Sequence, residues 1–360
     1  MRALIKLLLE YILIFLFFFI FIDFFISNTV LNLKGKSCIK FEETFVELKK
    51  NCNGKEKIRP FLPTVSIFTD SNGLRVKNKY KQETKEDKIF VFGSSFIYGA
   101  GLNYEQSVIG ILEKEHKNYE FNNYSMPWGS PTFHLYRLKE KILEGEIPKK
   151  IILVLSMSDI HNETSIWKDY DNFGKPVLIN KDIYKQSQIK EKFYKRHFRL
   201  TRSIALNLRN KIRSIKNKNI AISENNNKVR TTFQAGYTYT PLKELEKFYT
   251  EKSFNSALKK IKKRVDEMII ISSKHNIEFY LVIFPFADTL EYGQGVFNWE
   301  KFADKLCPDK KCKFVNSFPD YLNYKNKNND WYEKLFFVGD EHFTYYGHNI
   351  LAEKFTNQIF

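Results

Sequence analysis

Two short stretches at opposite ends of the chain carry residue types suited to nucleophilic chemistry. In the first, Ile89-Phe90-Val91-Phe92 is an uncharged aromatic and β-branched run that reads as a buried strand, and Gly93-Ser94-Ser95-Phe96 follows as a tight turn. Ser95 therefore stands at the carboxyl end of a strand and the start of a helical segment. Backbone N–H groups at such an edge favour developing negative charge. In the second stretch, Val338-Gly339-Asp340-Glu341-His342 precedes a terminal helix expected to begin after Gly347. Asp340 and His342 are two residues apart, so an extended or turn backbone points both side chains the same way. A serine hydroxyl is a weak nucleophile at neutral pH, and an imidazole base oriented by a carboxylate is what it needs to attack an ester. His348 is a rival base six residues on. Asp159 reads as a turn or helix cap.

These residues need a scaffold that brings both ends to one rim. The pattern predicts a strand over 88–93, a helix within about 105–117, a strand near 119–123, a helix over 132–144 and a strand over 151–156. Leu258, Ile261, Val265 and Met268 recur at three- and four-residue spacing on a helix expected over about 252–275. A strand over 278–284, a weaker strand near 313–316 and the terminal helix complete the rhythm. Alternating strands and helices over this length argue for a parallel sheet covered on both faces, with no internal repeat.

Together, these blocks resemble the SGNH/GDSL hydrolase superfamily, in its membrane-anchored branch of polysaccharide O-acetyl esterases and transferases, over roughly residues 86 to 360. Gly93-Ser94-Ser95-Phe96 with Gly99 and Gly101 is similar to the first block, with Ser94 where that block has aspartate. Asn123-Tyr124-Ser125-Met126-Pro127-Trp128-Gly129 is similar to the second, which supplies a backbone donor from Gly129. Ile151 to Ile160 is similar to the third, with Ser158 in place of its asparagine. The Asp340-x-His342 spacing matches the polysaccharide-acetylating branch. The resemblance implies a three-layer, flavodoxin-like α/β domain with Ser95, Asp340 and His342 catalytic, and with Ser95, Gly129 and Ser158 forming an oxyanion hole. It implies neither cofactor nor metal. Losing one oxyanion donor typically costs about 2.7–4 kcal/mol of transition-state stabilisation, so a serine hydroxyl at 158 weakens the hole rather than removing it.

The N-terminus bears on location. From Leu4 to Ile26 the residues are almost all apolar, broken by Lys6, Glu10 and Asp23, and no small-x-small cleavage site follows. Residues 1–28 are therefore expected to be an uncleaved transmembrane signal anchor, single-pass in the cytoplasmic membrane. Residues 29–85 form a juxtamembrane extension, and residues 86–360 the hydrolase-like domain. The cysteines Cys38, Cys52, Cys307 and Cys312 all lie beyond the span. An even number in a translocated domain predicts two disulfides, most simply 38–52 and 307–312, and an extracytoplasmic, periplasmic location. Neither pair has zinc-ligand spacing.

The formal charge of +17 comes from 58 basic and 41 acidic residues. An outward-facing domain has little access to nucleic acid, so the excess reads as compositional bias or as attraction to anionic glycans or head groups. It concentrates in an insertion at about 165–250: between Lys185 and Lys218 there are twelve Lys or Arg and one acid, Glu191, on a predicted amphipathic helix. The expected substrate is a carbohydrate or other acylated small molecule, with the membrane engaged through the N-terminal helix. The competing reading is a catalytically silent domain that binds glycan or scaffolds an envelope assembly.

Overall fold

The computed structural model describes residues 2–29, 37–41, 45–57, 62–78, 85–172, 174–179, 201, 229–308 and 310–360. The predicted basic helix at 185–218 lies outside the described residues, apart from Thr201. The chain divides into two compact units, one containing helix α1 (Arg2–Thr29) and Thr201, the other containing the described residues from 37 to 179 and from 229 to 360.

In the first unit, α1 turns apolar side chains outward, among them Leu13, Phe15, Phe17 and Phe21, whereas Asp23 is buried and its carboxylate accepts the Thr201 N–H at 2.8 Å and the Thr201 hydroxyl. Among the described residues no helix is long and apolar enough to cross a membrane. The expected transmembrane span is thus corrected to an apolar helix. Lys6, Glu10 and Asp23 confine the uncharged stretch to the twelve residues Tyr11–Ile22, against roughly 20 for a full crossing.

In the second unit, residues 37–78 carry five short strands: β1 (Ile39–Phe41) pairs with β2 (Val46–Leu48), and β3 (Asn53–Glu56), β4 (Val65–Thr69) and β5 (Arg75–Val76) make an antiparallel sheet. Cys38 and Cys52 are bridged, as are Cys307 and Cys312. Phe45, Val46, Val65 and Ile67 share one apolar cluster with Tyr98, Met126, Phe133 and Trp167 of the larger domain.

The main sheet is five-stranded and parallel. β6 (Asp87–Phe92) leads through α2 (Ser95–Tyr98) and α3 (Val108–Glu115) to β7 (Tyr119–Asn123), and α4 (Pro131–Leu143) leads to β8 (Lys150–Leu155). α5 (Ser158–His161), the hairpin of β9 (Trp167–Tyr170) and β10 (Pro176–Leu178), and α6 (Phe233–Gly236) come next. α7 (Glu251–Lys274), β11 (Glu278–Ile283), α8 (Ala287–Tyr292), α9 (Trp299–Asp304), β12 (Lys313–Asn316), α10 (Phe318–Lys327), α11 (Trp331–Leu335) and α12 (Tyr345–Gln358) complete the chain. The strand order is β12-β11-β8-β6-β7, with Phe92 beside Leu153 and Leu155 beside Ile283, so β6, β8 and β11 finish on one edge. All six residues of β8 are buried, as expected of a central parallel strand whose apolar run does not alternate. From β6 the chain moves to β7 on one side and β8 on the other. The carboxyl ends at such a switch point frame a crevice.

The terminal helix begins at Tyr345, two residues before Gly347. Gly347 lies inside the first turn because a Cβ there would stand 2.5 Å from the Leu335 carbonyl oxygen.

Candidate active site

The turn after β6 is as tight as its small residues suggest. A Cβ on Gly93 would lie 2.6 Å from the Ile97 side chain, so the chain turns closely only with glycine there. Ser94, buried and extended, precedes the first helical residue, Ser95. At the far end of α2, Gly99 takes a left-handed φ of 81°, and the buried Arg75 of β5 donates to the carbonyls of Tyr98, Gly99 (2.9 Å) and Leu102. The N-terminal extension thereby ties off the short helix that carries the serine. Glu56 of β3 adds a second tie, accepting the Tyr98 hydroxyl at 2.8 Å.

The loop before α12 meets this turn. Asp340 N–H donates to the Phe337 carbonyl at 2.9 Å, with Gly339 at φ 82°, a turn that needs a positive φ at its third residue. It returns the chain so that Phe336 bridges Phe343. His342 then sits with Nε2 2.7 Å from the Ser95 hydroxyl and Nδ1 hydrogen-bonded to Asp340 Oδ1, which also accepts the His342 N–H at 3.1 Å. Asp340 and His342 are each 1% exposed. The Phe96 ring lies 4.7 Å from the imidazole centroid and fixes its plane. The three chemically suited side chains of the sequence thus touch in series. Asp340, Glu341 and His342 bring ligand-type atoms within 4.8 Å of one another, but both imidazole nitrogens are engaged by Asp340 and Ser95.

His348 is placed elsewhere. Its Nδ1 accepts the Val108 N–H at 3.0 Å at the start of α3, and burial, assisted by the charges of His342 and Arg75, lowers its pKa to about 3. It is a neutral cap and not a base. Asp159 also caps: its Oδ2 accepts the Ser156 N–H at 2.6 Å, and burial raises its pKa well above the usual carboxylate range.

The donors expected for an oxyanion hole divide. The Ser95 N–H has no acceptor among the described residues. Ser158 lines the same pocket, its hydroxyl 2.7 Å from that of Ser156. Gly129, expected as a donor, is corrected: its N–H donates to the Met126 carbonyl at 2.8 Å, closing a turn. Its lack of a side chain serves close approach instead, since a Cβ would lie 2.7 Å from His134 and 3.0 Å from the Gly93 carbonyl oxygen. The loop leaves over the N–H of Trp128, a residue at φ 63° that lines the pocket and has no acceptor for this group among the described residues.

Two unforeseen residues hold this loop. Asn162, one helical turn beyond Ser158, donates to the Gly129 carbonyl at 2.9 Å. Glu163, its side chain fully buried, accepts the Ser130 hydroxyl (2.7 Å), the Thr132 N–H and hydroxyl (2.8 Å each) and Lys260 Nζ (3.0 Å). The i+4 spacing from Ser158 to Asn162 was the available signal.

Around the serine lies a cavity of about 270 Å³. Trp128, Phe233 and Phe286 give it apolar walls, and Ser158, Asn162 and Gln234 line it with polar groups.

No protein-family model matches the chain, and no curated protein matches it. Solved structures do. One is a member of the lipolytic protein G-D-S-L family from Veillonella parvula, at 10% identity and TM-score 0.41, covering 76% of this chain and 97% of that one. The esterase EstA from Pseudoalteromonas, inhibited by monoethylphosphonate, is 12% identical with TM-score 0.37, covering 76% and 97%. The lipase Lip_vut3 from a goat rumen metagenome is 11% identical with TM-score 0.41, again covering 76% and 97%. These three similar structures are thus a lipolytic G-D-S-L protein, an esterase and a lipase.

Proposed function

We propose that this protein is a serine esterase or acyltransferase of the SGNH type, acting on short acyl esters, foremost O-acetyl groups of a carbohydrate. The observation that carries the reading is the unbroken chain from Ser95 through His342 to Asp340, opening on a cavity of about 270 Å³. His342 Nε2 takes the Ser95 proton as the hydroxyl oxygen bonds to the acyl carbon, and Asp340 stabilises the imidazolium that forms. The oxyanion is met by the Ser95 N–H, with the Ser158 hydroxyl and the Trp128 N–H as the further donors. His342 returns the proton to the departing sugar oxygen and leaves an acyl-serine. Attack on that ester by water completes an esterase cycle, and attack by a second sugar hydroxyl completes a transferase cycle. The pocket of about 270 Å³ beside Ser95 has room for an acyl group.

An extracytoplasmic site at the cytoplasmic membrane is part of the proposal. Two disulfides suit an oxidising compartment, and α1 offers an outward apolar surface for attachment. One observation favours the silent glycan-binding alternative: the Gly129 N–H is already occupied. A serine-directed fluorophosphonate decides between them. Labelling of the full chain that disappears in Ser95→Ala supports the enzyme, and labelling that is absent, or that persists in the variant, removes it. Free acetate released from acetylated glycans then identifies the substrate.

A further inference from the structure

Residues 229–250 carry no recognisable block, yet they supply one wall of the cavity. Phe233 and Gln234, at the start of α6, line it opposite the chemistry contributed by β6 and the terminal loop. Phe233 is wedged between Phe248, stacked at 4.3 Å, and His161, met edge-on at 4.8 Å.

A single buried carboxylate fastens this segment. Asp288, 0% exposed, accepts on Oδ2 the Thr232 N–H at 2.6 Å, the Thr232 hydroxyl at 2.9 Å and the Tyr239 hydroxyl at 2.9 Å, while Oδ1 accepts the Thr289 N–H at 3.1 Å. All four partners are neutral donors. Burying a carboxylate away from any cation is costly unless its lone pairs are filled, and here three of the four bonds reach into the 232–239 segment. Thr232 passes the restraint on, because its hydroxyl oxygen accepts the Ala235 N–H at 3.2 Å and so starts the turn that presents Phe233. Behind it, the Tyr237 hydroxyl donates to the Met157 carbonyl at 3.1 Å, just before Ser158. Asp288 follows Phe286 by two residues, so one carboxylate links two walls of one cavity.

We propose that residues 232–239 are a specificity segment, with Phe233 setting the length of acyl group the cavity accepts and Asp288 acting as the positioning residue that holds Phe233 in place. This rests on the esterase reading of the Ser95 site. The phenyl ring forms part of the apolar wall along which an acyl group on Ser95 would lie. Removing it extends the apolar space by the volume of several methylenes, and discrimination per methylene in such a pocket is about 10- to 200-fold.

The test is kcat/KM of the full chain on p-nitrophenyl acetate, butyrate, hexanoate and octanoate. Phe233→Ala is expected to raise the hexanoate-to-acetate ratio by about tenfold or more. Asp288→Asn, which weakens acceptance at Oδ2 while keeping shape, is expected to move the ratio the same way with a rise in KM for acetate. A merely structural aspartate would instead lower all four esters together. Thermal melting separates misfolding from altered selection, and Phe233→Ala keeps the proposal testable if Asp288→Asn does not fold. Unchanged chain-length ratios in an active Phe233→Ala overturn the specificity segment while leaving the enzyme reading intact. Neither turnover nor fluorophosphonate labelling in the parent chain sinks both.

Discussion

His342, in the loop before α12, and His348, in the first turn of that helix, stand six residues apart, and only His342 reaches Ser95: its Nε2 lies 2.7 Å from the Ser95 hydroxyl, whereas His348 Nδ1 takes the Val108 N–H at 3.0 Å. The two histidines should therefore fail differently. His342→Ala is expected to lower kcat by about four to six orders of magnitude with little loss of fold. His348→Ala should leave an unsatisfied buried N–H at α3 and cost about 1–3 kcal/mol of stability, with kcat near the parent value. Steady-state kinetics beside urea denaturation checks both, and equal loss of kcat in the two variants would refute the assignment.

Stability should fall on acidification through the buried histidines. Burial lowers both His134 and His348 from the ordinary 6.5 to about 3. Between those values the unfolded chain binds protons that the native chain refuses, so stability present above pH 6.5 declines as pH drops toward 3. Each histidine contributes about 1.4 kcal/mol per pH unit. Among the described residues His134 has no hydrogen-bond partner at either ring nitrogen, and it packs on Phe92 and Phe133. His134→Phe should therefore flatten the urea-derived stability profile between pH 6 and 4 by about one histidine's slope. Parallel profiles for parent and variant would contradict it.

Gly129→Ala tests close approach as the reason for glycine. Its new methyl would press on His134 and on the Gly93 and Met126 carbonyls. The expected cost is about 1–3 kcal/mol from overpacking, accompanied by slower Ser95 labelling because the strained loop carries Trp128. A variant with parent stability and labelling rate would show that the loop has slack.

Glu163→Ala is expected to be more severe. It strips acceptors from Ser130 and Thr132 and leaves Lys260 without its carboxylate, a change that costs about 3–5 kcal/mol where the pair is buried. Chemical denaturation measures it. A loss below about 1 kcal/mol would mean that the loop carrying Trp128 and Gly129 is held by other bonds.

The disulfides should differ in worth with the loops they close. Losing Cys38–Cys52, fourteen residues apart, is expected to cost about 3 kcal/mol, and Cys307–Cys312, five apart, about 2 kcal/mol, by loop-closure entropy. Thermal melting of Cys→Ser pairs compares them, and a larger loss at the shorter loop would argue against that account.

What could be read in the sequence was what local pattern dictates. The strands at 119–123 and 313–316 match residue for residue, and the long helix expected over 252–275 is Glu251–Lys274, because apolar period and capping are local properties. Ser95, Asp340 and His342 were legible because a small-residue turn and an alternating acid and histidine constrain where side chains point. The rest depended on contacts between distant segments. Nothing near Gly129 announced that its N–H would close a turn on Met126, and nothing near Phe233 announced that Asp288, 55 residues later, would draw it to the cavity. Gly347 was misplaced as a helix start for the same reason, since its role is set by the distant Leu335 carbonyl.

Arg75 belongs to the small antiparallel sheet, yet its guanidinium grips the carbonyls at the exit of the serine-bearing turn. The smallest fragment able to hold that turn must therefore begin upstream of the large sheet and include the Cys38–Cys52 hairpin region. Cutting the chain just before Asp87, where the strand–helix rhythm starts, would keep Ser95, Asp340 and His342 and discard the clasp that keeps the first of them in line.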